Sequence, residues 1–233
     1  MRMRLFGGLL LCGFLSLGRM DAQGVDPNLM REAAAVRAEV ARSTAALRQY
    51  TWTEHTEVLV KGDVKSSSAV VCRYDSSGKV TKVPVGTPKE RDASGGVSRK
   101  PLARKKADMQ DYIERAVSLL HNYVPPNPEQ IQFLLENGSA ALGQSEAGRS
   151  EVRFKNYFQE GDYLVFTYDS TSKILLRVTI ASTLGSPKDP VTLEAAFETL
   201  PDGVNHLTSA TLNASAKKVQ VKMRNVMYQK VEN

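Results

Sequence analysis

Leu29, Ala33, Val36, Val40, Thr44 and Leu47 recur at three- and four-residue spacing behind Asp26-Pro27. An acidic N-cap followed by proline at the first helical position opens a helix, and this stripe continues it for about five turns. At Tyr50 the period drops to two. Tyr50, Trp52, Thr56, Val58 and Val60 fall on one face, and Thr51, Thr53, His55 and Glu57 on the other, which predicts a strand. Lys61-Gly62-Asp63 turns the chain into a second strand over Val64–Tyr74, and Ser76-Ser77-Gly78 turns it into a third over Lys79–Val85. Three strands joined by tight turns predict an antiparallel meander.

Periodicity is lost over Thr87–Ala107, where Pro88, Ser94, Gly95, Gly96 and Pro101 break regular structure. This stretch reads as a flexible surface loop. Asp108 then caps a second helix with Met109, Ile113, Ala116, Val117 and Leu120 inward, and Pro125-Pro126 ends it. Asn127-Pro128 starts a third, short helix with Gln130 in the capping-box position, Ile131, Leu134 and Leu135 buried, and Gly138 as its stop. From Arg149 onward the strand period returns. Val152 and Phe154, then Tyr163, Val165 and Tyr168, flank a turn at Gln159-Glu160-Gly161. Ile174, Leu176, Val178 and Ile180 alternate with Leu175, Arg177 and Thr179, and strands around Val191–Phe197, His206–Leu212 and Val219–Met223 follow. About nine strands, without helices between the later ones, predict an α+β fold built on one antiparallel sheet.

Ahead of this domain, Met1–Arg4 carries two arginines and Leu5–Leu17 is apolar apart from small residues, Cys12 and Ser16. This is the basic n-region and short h-region of a secretory signal peptide over residues 1–24, with cleavage expected after Ala22 or Gly24. Thirteen helical residues reach about 20 Å, short of a hydrocarbon core of roughly 30 Å. Leu11 before Cys12 does not fit a lipidated cysteine. The expected location is therefore outside the cytoplasm, in the periplasm or else secreted. With the leader gone, Cys72 is the one remaining cysteine and no internal disulfide can form.

The formal net charge of +6 raises nucleic acid as a partner. Losing Arg2, Arg4, Arg19 and Asp21 with the leader lowers it by two. Much of the remainder sits in one place: Lys89, Arg91, Arg99, Lys100, Arg104, Lys105 and Lys106 against Glu90 and Asp92. The segment has no aromatic residue on which bases could stack. For an exported chain, an anionic membrane surface touched by Lys100, Arg104, Lys105 and Lys106 fits better, and no nucleic-acid partner is expected.

The catalytic inventory is thin. There is no G-x-S-x-G elbow, S-x-x-K pair or phosphate loop. His55, His121 and His206 lie in three segments without metal-ligand spacing. The expectation is a protein that is not an enzyme and needs no cofactor or metal.

The order helix, meander, two helices, further antiparallel strands, behind a leader, resembles the LolA-like superfamily of periplasmic lipoprotein carriers and RseB-type sensors. Locally the resemblance is carried by Ala46-Leu47-Arg48-Gln49-Tyr50-Thr51-Trp52, by Gly161-Asp162-Tyr163-Leu164-Val165-Phe166 and by Lys173-Ile174-Leu175-Leu176-Arg177-Val178. It implies a curved, half-open barrel with N-terminal and central helices on its concave face, and an apolar cavity for acyl chains. The basic loop and the helix-Pro-Pro-helix segment Asp108–Asn137 depart from the carrier pattern, so no functional residue is carried over. Trp52, Val58, Phe154, Ile174, Leu176 and Phe197 are the inward candidates for contacting a lipid or lipidated partner. The alternative is a structural or regulatory module of the cell envelope without a lipid ligand.

Overall fold

The computed structural model describes residues 26–85, 100–146 and 148–231. The leader expected over residues 1–24 and residues 87–99 of the expected basic loop lie outside the described residues. Helix α1 spans Pro27–Leu47, and the Asp26 carboxylate accepts the Asn28 N–H at 2.9 Å, as its N-cap position requires. The meander follows as β1 (Tyr50–Val60), β2 (Asp63–Tyr74) and β3 (Val80–Pro84). Helix α2 runs from Lys100 to Leu120 and α3 from Pro128 to Glu136, with Asn127 accepting the Glu129 and Gln130 N–H groups. Gly138 stops α3 at φ +75°. Seven strands complete the chain: β4 (Ala140–Glu146), β5 (Arg149–Lys155), β6 (Tyr163–Asp169), β7 (Leu175–Thr183), β8 (Pro190–Thr199), β9 (Asn205–Ala214) and β10 (Val219–Lys230).

All ten strands form one antiparallel sheet in the order β3-β2-β1-β10-β9-β8-β7-β6-β5-β4. It is open and curved, with β3 and β4 as its two edges. Directly opposed residues share a face, so the register reads as rows across the sheet. One row is Ala140, Phe154, Leu164, Ile180, Leu193, Leu212, Val221 and Val58. The next is Leu142, Val152, Phe166, Val178, Ala195, Ala210, Met223 and Thr56. These rows form the inner face, and Leu29 and Val36 of α1, Tyr112, Ala116 and Leu120 of α2, and Leu134 and Leu135 of α3 pack with it into the main core.

Three expectations change. Among the described residues the strand count is ten rather than about nine, because Ala140–Glu146 is an edge strand whose Ala, Gly and Gln residues give no strand period. The basic segment is not loop throughout: α2 starts eight residues before Asp108, since Pro101 fits a first helical turn and the Leu, Ala, Arg and Lys that follow are good helix formers. Alternation along β7 is also broken. Tyr168 pairs with Leu175 while Thr167 pairs with Arg177, so Leu176 is the extra residue of a bulge. Leu175 therefore joins Val178 and Ile180 in the core, and Ile174 and Leu176 are left half-buried outside it.

Candidate functional site

A cleft of about 360 Å³ lies between α1, α3 and the sheet. The wall on α1 is made by Met30, Ala33, Ala34, Val40 and Ala41. Alanines at these positions hold the helix surface back from the sheet, so the cleft exists because α1 is small-sided there. The opposite wall is Pro125, Pro126 and Pro128 followed by Ile131 and Leu135 of α3. Proline has no N–H to leave unpaired, so these three residues add no backbone donor to the wall. Val152, Phe154 and Phe166 form the floor, the two phenylalanine rings meeting edge to face at 6.0 Å. Arg37 and Gln132 are the only lining side chains with charged or amide groups. Arg37 is exposed, and Gln132 donates to Glu136 at 2.6 Å.

Both walls are held by polar contacts at their ends. Under α1, Glu32 accepts from Lys173 Nζ at 2.7 Å and from the Tyr168 hydroxyl at 3.0 Å. The Lys173 hydrogen bond holds the Glu32 carboxyl below its ordinary value. Burial first, then Glu32, pushes the Tyr168 hydroxyl up to about 12. Toward the far end of α1, Ser43 Oγ accepts the Asn205 N–H at 3.2 Å, and Arg42 reaches the Gly203 carbonyl at 3.4 Å. Behind the proline wall, the fully buried Tyr123 donates to Asp162 and lies 2.7 Å from Ser182 Oγ. Its ring stacks on Tyr157 at 5.5 Å, and Tyr157 in turn accepts the Asn127 N–H at 2.8 Å. The Val124–Pro125 peptide within this wall is cis. Apolar surface continues outward from the cleft: Val40 on its lining is 37% exposed, Leu142 beside Val152 is 41% exposed, and Phe133 on α3 is 57% exposed.

Of the six inward candidates, Phe154 alone lines the cleft. Phe197 packs against the main core, and Val58 is half-buried in the same row as Phe154 but six strands across the sheet. Trp52 belongs elsewhere: it stacks on Tyr228 at 5.6 Å and tilts against Tyr74 at 5.6 Å, and His206 packs on the far side of Tyr228 at 4.3 Å. It lines neither the cleft nor the main core. Ile174 and Leu176 are excluded by the β7 bulge. His55 is half-buried in β1, His121 is exposed beyond α2, and His206 is buried in β9. Arg104, Lys105 and Lys106 are exposed on α2, which begins at Lys100. The other lining residues, the α1 alanines and the prolines among them, are not in that candidate set. Their signal was present as Ala33-Ala34 and Ala41 along α1 and as the Pro125-Pro126 pair, but small residues on a helix read first as ordinary close packing.

No protein-family model matches the chain, and no curated protein matches it. Among solved structures the chain is similar to a LolA superfamily protein from Nitrosomonas europaea, at 7% identity and a TM-score of 0.38 over 84% of this chain and 93% of that one. It is also similar to a DUF1329 family protein from Desulfovibrio piger ATCC 29098, at 10% identity and a TM-score of 0.40 over 85% of this chain and 92% of that one. At these values the similarity transfers neither a family, nor a residue role, nor an activity to this chain.

Proposed function

We propose that this is an exported, non-enzymatic binding protein that holds the acyl chain of a lipid, or of a lipid-modified partner, in the cleft under α1. The observation that carries the reading is the lining itself: about 360 Å³ enclosed by alanine, proline, aliphatic and phenylalanine side chains, with one guanidinium and one amide. Clefts of this size and polarity suit apolar ligands, and the exposed Arg37 suits an anionic head left at the mouth. The basic, then apolar, run Met1–Leu17 supports export. A ligandless envelope module is favoured by a different feature, the edges of β3 and β4, against which no further strand pairs among the described residues and which can accept a partner's strand.

The test is displacement of a fluorescent fatty acid, together with native mass spectrometry of the purified protein. The wild type binds the probe and Ala34→Trp, which fills the cleft from an exposed helix position, lowers its affinity at least tenfold. Absence of probe binding together with absence of co-purified lipid overturns the acyl reading and leaves the edge-strand module. Arg37→Gln should weaken a fatty acid more than its neutral alcohol.

A further inference from the structure

The register brings one set of turns to a common rim. Val60 pairs with Val219, Val219 with Ala214, Ala214 with Val191 and Val191 with Ser182. Beyond these residues lie the turn at Lys61-Gly62, the 3-10 turn Ser215–Lys217 with Lys218, and the turn carrying Lys188. Lys61, Lys188, Lys217 and Lys218 are all exposed, and the Lys61 N–H donates to the Lys218 carbonyl at 2.8 Å, so two of these turns touch. Helix α2 crosses the same rim. Its Tyr112 donates to Asp189 at 2.6 Å and lies under Lys217 Nζ at 4.5 Å, and two turns earlier Arg104, Lys105 and Lys106 are exposed. Of the acidic groups nearby, Asp63 is held by Lys65 at 3.1 Å, Asp189 by Tyr112 and Asp111 by Arg115 at 3.0 Å, while Asp108 on α2 and Glu160 in the turn that carries Phe158 are exposed. The opposite rim differs: its turns are closed by Asp75, Asp169 and Asp202, each accepting hydrogen bonds.

At the other end of α2, the lysine rim turns apolar. Tyr123 is anchored to Asp162 and Ser182, and against it stand Val124, 44% exposed, and Phe158, 51% exposed, the Phe158 ring meeting Tyr123 edge-on at 5.8 Å. Val124 directly precedes the cleft-lining Pro125. Rows of lysines ending in exposed aromatic and aliphatic side chains match a bilayer interface, with phosphates for the cations and the acyl boundary for the rings.

We propose that this rim docks on an anionic phospholipid bilayer, with Lys61, Lys188, Lys217 and Lys218 on the headgroups and Val124 and Phe158 in the interface. Docking in this orientation places the proline wall of the cleft one residue from the membrane. The inference goes beyond the acyl reading and is testable without it.

The experiment is co-sedimentation of the full mature protein with vesicles containing one-third phosphatidylglycerol, against pure phosphatidylcholine, at two salt concentrations. The wild type binds the anionic vesicles and loses binding as salt rises. Each lysine removed lowers binding about fivefold, so the triple variant Lys61→Gln, Lys188→Gln, Lys218→Gln falls about 100-fold. Phe158→Ser weakens binding without changing its salt dependence. All four positions are exposed, and an unchanged unfolding midpoint shows that the variants fold. Equal binding to neutral vesicles, or undiminished binding by the triple variant, overturns the proposal, as does preference for inorganic phosphate in competition. Ala34→Trp should keep vesicle binding while losing the fatty-acid probe; a failure of one arm therefore leaves the other intact.

Discussion

Glu32 is the residue through which α1 is fastened above the cleft, and Glu32→Gln tests how much that fastening contributes. The carboxylate accepts from Lys173 and from the Tyr168 hydroxyl. A hydrogen bond to a charged group contributes about 1.5–3 kcal/mol, against about 1 kcal/mol for a neutral one. Glutamine keeps an acceptor, so the hydroxyl contact loses only the charge-assisted part. The Lys173 ammonium is 24% exposed and its partner 23%, a geometry in which solvent screens the pair to about 1 kcal/mol. The expected loss is about 1–2 kcal/mol. Urea unfolding followed at the single tryptophan reads it out, because Trp52 is 8% exposed, sits in a separate aromatic cluster and reports the whole fold. With m near 2–3 kcal/mol/M the midpoint should fall by about 0.5–1 M. The pH dependence gives the sharper test. Folding lowers the Glu32 pKa from an ordinary 4.5, so its stabilisation is complete above that value and is lost as pH falls through the lower folded value. The gap between wild type and variant should stay level from neutral pH to about pH 5 and narrow as pH falls below the ordinary 4.5. A gap that stays undiminished there, or that is absent at neutral pH, refutes the carboxylate as the fastening.

Phe154→Ala removes a fully buried ring and its edge contact with Phe166, and should cost about 3–4 kcal/mol in the same assay; a loss under about 1 kcal/mol contradicts a packed floor. His206 is held below its ordinary 6.5 by burial. The unfolded imidazole takes up its proton first, so stability should decline as pH drops below that value, and an NMR titration placing His206 at or above 6.5 contradicts the burial. Cys72 is fully buried and its thiol is pushed up by that burial. It should resist iodoacetamide in the native protein and react once urea unfolds it, as followed by mass spectrometry of the Cys72 peptide; rapid native labelling contradicts the packing.

Signals confined to a few neighbouring residues were legible in the sequence. Asp26-Pro27, Asn127-Pro128 and Gly138 mark helix ends through their own backbone chemistry, and they do so in the structure. The meander was equally readable, because Lys61-Gly62 and Ser76-Ser77-Gly78 punctuate clear alternation. What depended on distant partners was not. Leu175 faces inward only because its pairing with Tyr168 shifts by one residue, and nothing within β7 announces that shift. β4 is a strand because β5 pairs with it, not through its own Ala and Gly residues. Trp52 alternates correctly with Val58, yet its neighbours on β10 and β2 draw it into another cluster. A cleft is a deficit of side chain between two elements, and only their juxtaposition reveals it.

The seam between β1 and β10 bears on when the molecule can become itself. β1 is made early, yet Tyr50 lies opposite Lys230 and Val60 opposite Val219. Until Val219–Lys230 exists, β1 has one side unpaired and the sheet stays in two pieces, β3-β2-β1 and the strands from β4 to β9. Pairing between elements so far apart in the chain is slow to form, and it cannot begin before β10 has been made. The same seam makes β10 decisive: a chain truncated before Val219 would present two raw strand edges and favour association over completion.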